Sequence, residues 1–157
     1  MTPTHVLFLA FLIGLLTGLR SLTPVAVTAW AAHLGWLRLV RPFALIGSVP
    51  AVAIFSLLAV AELVNDKLPK TPPRTAPPGV IARCLMGALT GACLAIAATQ
   101  GALLGAVLGI SGALVGTFGG YQVRTRLVRA LGTPDFAVAL LEDLVTIGGS
   151  LWVLSRF

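Results

Sequence analysis

Polar and apolar positions alternate along this chain in long blocks. Residues 1–19 carry no Lys, Arg, Asp or Glu, and neither do 21–37 or 42–61. Cys84 to Val123 is a 40-residue stretch without a charge, and Phe136 to Ser155 is interrupted only by Glu142 and Asp143. A spanning helix needs about 20 consecutive apolar residues. The 40-residue block is therefore read as two spans joined at Thr99-Gln100-Gly101. The whole pattern predicts an all-α, polytopic membrane protein of one domain, residues 1–157, with about five hydrophobic passes.

The first block is the most informative. Val6 to Leu37 covers 32 residues and is broken only by Arg20, within Gly18-Leu19-Arg20-Ser21-Leu22-Thr23-Pro24. That is too long for one straight helix, and Pro24 removes a backbone donor. One broken, tilted helix and a re-entrant hairpin of two short halves both fit. Non-helical backbone at membrane depth survives only inside protein or beside water, so either version shelters Arg20. An ionisable residue at such a break marks a functional site by default. Ser21 and Thr23 are the hydroxyls available to satisfy freed backbone groups or to touch a ligand.

Composition agrees with the pattern. Hydrophobic residues make up 57% of the chain and charged residues only 10%, against roughly 25% charged in soluble domains. Mean hydropathy is +0.99. The net charge of +6 sits in short connections and reports orientation. No basic nucleic-acid-binding module is present, and no nucleic-acid partner is expected. Residues 69–78 hold five prolines and predict an extended connection, made basic by Lys67, Lys70, Arg74 and Arg83. Arg124, Arg126 and Arg129 form a second basic cluster, before a turn at Gly132-Thr133-Pro134-Asp135 whose Asp135 is placed to cap the last helix. An even number of crossings separates the two regions, so the positive-inside rule makes both cytoplasmic. Arg38, Arg41 and Arg156 then lie outside, with Trp30, Trp36 and Trp152 at the outer interface.

The glycines predict close helix packing. Gly87 and Gly91 are four apart, as are Gly101, Gly105 and Gly109, and Gly112, Gly116 and Gly120. Small residues at this spacing let backbones approach in lipid, either within one chain or across a homodimer. A weak echo suggests an inverted repeat. A glycine-rich helix, a break at Arg20 and an apolar helix ending in Glu62 and Asp66 are followed by a second glycine-rich helix, Gly119-Gly120 with Arg124 and Arg126, and an apolar helix with Glu142-Asp143.

Glu62 and Asp66 share one helix face, and two acids there suggest a cationic partner. Lys67 follows them directly. Glu142 and Asp143 lie roughly 9 Å inside the last span at 1.5 Å per residue, where each charge costs up to ~2.5–3.5 kcal/mol. They are expected to pair with Lys67, Arg124 or Arg126, or with Arg20 if the break brings it over. His5 and His33 have no partner spacing for a metal, and Cys84 and Cys93 read as small core residues. No cofactor or metal is expected, and no hydrolase, zincin or P-loop arrangement is readable.

The segments Gly18–Trp36, Glu62–Gly79, Gly119–Asp135 and Leu140–Leu144 resemble a family of short bacterial integral membrane proteins, known only as a domain of unknown function. The resemblance covers essentially the whole chain. It implies a bacterial inner-membrane protein with the same polar positions, and it brings no substrate or catalytic residue. The sequence expectation is a small transporter or channel, acting as a homo-oligomer among membrane lipids, for a small ion or anionic solute. Its site would comprise Arg20, Ser21, Thr23, Glu62, Asp66, Lys67, Arg124, Arg126, Glu142 and Asp143. A carrier or modifying enzyme for a lipid phosphate, and a membrane scaffold, are the alternatives.

Overall fold

A computed structural model describes residues 2–66, 75–132 and 134–157. Among these there are six α-helices and no strand: α1 (Pro3–Leu19), α2 (Thr23–His33), α3 (Val49–Asn65), α4 (Pro77–Ala97), α5 (Ala102–Leu131) and α6 (Asp135–Leu154). A short 3-10 helix, Phe43–Gly47, precedes α3. The chain is a polytopic membrane protein. Helices α4, α5 and α6 are long and apolar enough to cross a bilayer, and α1 and α3 are shorter apolar helices. Large apolar side chains such as Leu57 and Leu103 point outward at 71% and 79% exposure. This outside suits a lipid surround rather than water.

Local chemistry explains the boundaries. Thr2 caps α1 through its hydroxyl, and Ser48 does the same for α3. A helix running on from Leu19 would drive the Pro24 ring into the Arg20 carbonyl. Arg20 instead takes an extended conformation, and Pro24 sits in the first turn of α2. The expected span over 42–61 starts later, because Ser48 and Pro50 restart the helix after the 3-10 turn.

Neighbours along the helices fix their directions. Gly14 lies on Gly109 and Gly18 on Gly116, so α1 and α5 run parallel. Gly87 meets Gly109 and Gly91 meets Gly105, so α4 is antiparallel to both. Glu62 meets Ser21, while Ser56 meets Trp30 and Gly47 meets His33, so α2 and α3 are antiparallel. Asp143 meets Arg20, and Leu154 shares a cavity with Trp36, so α2 and α6 are parallel. Meanwhile Gly149 rests on Leu16, which makes α6 antiparallel to α1. Helices α1 and α2 therefore form a hairpin, so the first block is two antiparallel helices of 17 and 11 residues rather than one broken helix. Both chain ends lie at the end of the bundle away from Arg20.

The halves α1–α3 and α4–α6 run in opposite senses, but the second half has no break. Helix α5 continues through Gly119-Gly120, because no proline interrupts its hydrogen-bond ladder there. The glycine rows are spent inside the chain. A Cβ on Gly109 would strike the Gly87 carbonyl, one on Gly14 the Gly109 carbonyl, and one on Gly112 or Gly116 the backbone of α1. Gly101 and Gly119 have nothing within 4 Å. Cys93 is buried in the apolar core with Val25, Ala29 and Val52.

This packing separates two substitutions that look alike in sequence. Gly109→Ala is expected to destabilise the bundle by about 1–3 kcal/mol, since backbone has to move to admit the methyl group. Gly119→Ala is expected to be neutral or stabilising by up to ~1 kcal/mol, as a helical glycine relieved of its entropy cost. Unfolding midpoints in detergent check both.

Candidate functional site

The hairpin turn exposes the two ends of broken helices to the interior, and each end is compensated by charge of the sign its dipole requires. At the C-terminal end of α1, the Gly18 carbonyl accepts a hydrogen bond from Arg83 Nε at 3.2 Å, and the Thr117 hydroxyl, bonded mainly to the Ala113 carbonyl at 2.7 Å, shares its proton with it at 3.4 Å. At the start of α2, the Glu62 carboxylate accepts from the Ser21 amide at 2.7 Å, the Ser21 hydroxyl at 2.5 Å and the Leu22 amide at 2.9 Å. The N-cap residue Leu22 has no capping side chain of its own, so Glu62, reaching over from α3, does the work of a cap.

Arg20 lies between these ends and is 1% exposed. One guanidinium nitrogen is ion-paired and hydrogen-bonded to Asp66, just past the end of α3. The other lies 2.6 Å from Asp143 Oδ1 on α6, close in charge but off the line of a hydrogen bond. Arg124 on α5 ties the same carboxylates from the other side. It donates to Asp66 at 3.1 Å and to Glu142 at 3.2 Å, and it grips Asp135 with two bonds at 2.9 and 2.6 Å. The five acidic residues of the whole chain are thus gathered in one cluster with Arg20, Arg83 and Arg124 at one end of the bundle.

The expected site residues fare unequally. Arg20, Ser21, Glu62, Asp66, Arg124, Glu142 and Asp143 are brought together. Thr23 is buried at the start of α2, and its hydroxyl has no partner among the described residues. Arg126 is exposed and outside the cluster, because residues two apart on a helix point to nearly opposite sides. Lys67 lies outside the described residues, as do Lys70 and Arg74. Asp135 stands in the first turn of α6 and clamps Arg124 instead of capping the helix. Arg83 was taken for a loop cation and is in fact buried within α4. A charge six residues inside an apolar helix was the signal for it, the same signal that singled out Glu142.

Burial works to raise the Asp66 carboxyl, but the charge of Arg20 and the hydrogen bonds from Arg20 and Arg124 outweigh it and hold the group below its ordinary value of 3.8. A cavity of about 180 Å³ opens beside the cluster between α5 and α6, with Arg124 and Glu142 at its polar edge and Val123, Leu127, Leu141 and Val145 along its sides. Among the described residues no group of three or more His, Cys, Asp or Glu side chains is arranged to hold a metal ion.

A family model described as "Domain of unknown function (DUF4126)" matches residues 7–155. Neither a curated protein nor a solved structure matches the chain.

Removing the central cation leaves buried carboxylates uncompensated. Arg20→Met is expected to cost about 3–5 kcal/mol of stability, and adding Asp143→Asn to recover part of it, read as unfolding midpoints in detergent. Asp66 has a folded-state value below 3.8, so its stabilisation is present above that pH and fades as pH falls through the lower folded value. Acidification from pH 5 downward should therefore lower the midpoint less steeply in Asp66→Asn than in wild type.

Proposed function

Since the chain belongs to this family of unknown function, which assigns no chemistry, we propose from its own geometry that it is a small ion-translocating protein of the bacterial inner membrane, moving protons or a small cation. The carrying observation is the gathering of all five carboxylates with Arg20 and Arg124 beside a helix break. Charges in such positions are costly and mark ion pathways and proton relays. Most donors an anionic solute would need are already engaged, because Glu62 holds the amides of the break and carboxylates hold two of the three Arg20 nitrogens.

In this reading Asp143 and Glu142 relay protons, and Arg20 and Arg124 hold the carboxylates in place. The cluster end, with its basic connections, faces the cytoplasm, and the end carrying Arg38, Trp36 and Trp152 faces outward. A homodimer belongs to the same proposal, with the open position Gly119 on its outer surface.

One observation favours a second reading. The apolar cavity between α5 and α6 ends at Arg124, which suits an acyl chain with an anionic headgroup, as in a carrier of lipid phosphates. Native mass spectrometry would show that lipid bound, and bound less by Arg124→Ala.

Proteoliposomes containing a pH-sensitive dye test the first reading. Wild type should dissipate an imposed pH gradient under a clamped potential, and Asp143→Asn should not. Wild-type vesicles as tight as protein-free ones would reject it. Single cysteines at Arg38 and Thr125 should react with impermeant reagents from opposite sides of the membrane.

A further inference from the structure

The buried threonines of this bundle divide into two groups. Thr17, Thr28, Thr90, Thr117 and Thr146 each return their hydroxyl to the carbonyl one turn back, at 2.7–3.0 Å. This satisfies the group within its own helix. Three buried polar atoms have no protein partner among the described residues: Arg20 Nε, Thr23 Oγ1 and Ser150 Oγ. Thr23 cannot use its own helix, because the carbonyl one turn back belongs to Leu19, across the break.

These atoms are not scattered. Asp143, Thr146 and Ser150 are all buried on α6, and their spacing of three and four places them on one face, rising about 5 Å per turn. That face is turned inward, where Asp143 reaches Arg20 and Gly149 next to Ser150 rests on Leu16. The Arg20–Asp143 pair sits at the foot of this polar stripe. At its head lie Val153 and Leu154, packed with Leu9, Ile13 and Leu94 in a fully apolar cluster. Beyond that cluster is a cavity of about 440 Å³ at the opposite end of the bundle, lined by Trp36, Arg38, Ser155 and Phe157.

We propose that this stripe is a water file: that water bridges Thr23, Arg20 Nε, Thr146 and Ser150, and that protons travel along it between the Arg20–Asp143 pair and the far cavity. The proposal rests on the proton reading of the function and names its path. Buried polar groups are satisfied by protein or by ordered water, and a water needs two to four polar partners. The stripe supplies them at each turn: the Ser150 hydroxyl as donor and acceptor, the Thr146 oxygen as acceptor, and Arg20 Nε as donor. The Leu9–Leu94–Leu154 layer closes the file on the outer side as a dry constriction, and opening it completes the path.

Two measurements on the full-length protein in liposomes test this. The first reads water. In a Cys84→Ala, Cys93→Ala background, the Ser150→Cys variant should react with silver ion in chloride-free buffer, and the Leu94→Cys variant should not. Equal inertness of the two would overturn the file. The second reads the path. Ser150→Ala should keep the wild-type unfolding midpoint and lose about ten-fold in proton flux, the rate equivalent of one hydrogen-bonded relay. Undiminished flux in Ser150→Ala, with flux abolished in Asp143→Asn, would overturn the path and leave the proton reading standing. A silver-reactive Ser150→Cys in a protein that passes no protons would reject the proton function and keep the water.

Discussion

The structure turns on one buried cation. Arg20 is held at the turn of the α1–α2 hairpin, and its two carboxylate partners come from other elements, Asp66 just after α3 and Asp143 within α6. A guanidinium out of water is tolerable only when paired and bonded. The hairpin turn is therefore tied to both α3 and α6 through this one side chain. Arg124 repeats the arrangement from α5 and shares Asp66 with Arg20. Four of the six helices are thus tied to one another through a single charge cluster, in a medium where charge pairing is the strongest directional force available.

A second constraint follows from the break. Cutting a helix inside a membrane frees carbonyls on one side and amides on the other, and lipid satisfies neither. Arg83 and Thr117 meet the carbonyl end, and Glu62 meets the amide end. The glycine contacts of α1, α4 and α5 bring these side chains within reach, because each passes backbone close to backbone. Packing and electrostatics are accordingly one design. The glycines set the distance between helices, and that distance sets which charges meet.

This arrangement also limits the chemistry. A site whose Arg20 and Arg124 are held by carboxylates, and whose helix dipole is already answered by Glu62, has little left to offer an anion. What remains is the inward polar stripe of α6, which runs from the Arg20–Asp143 pair toward the far end of the bundle.

Membrane class, and charges set inside apolar blocks at Arg20, Glu142 and Asp143, were legible in the sequence. Lipid demands long apolar runs, so every charge inside one stands out. Helix geometry alone would also have removed Arg126 from the site, since it lies two residues from Arg124, and would have flagged Arg83. The choice between a broken helix and a hairpin at Arg20, and the pairing of each acid with its arginine, were not legible. Proline and arginine announce a break but not the angle after it. That angle was decided by which distant residues answer the broken ends, Arg83 from 65 positions away and Glu62 from 41. Such partners are chosen by the glycine contacts of the folded bundle, and glycine spacing in sequence says that helices approach without saying which.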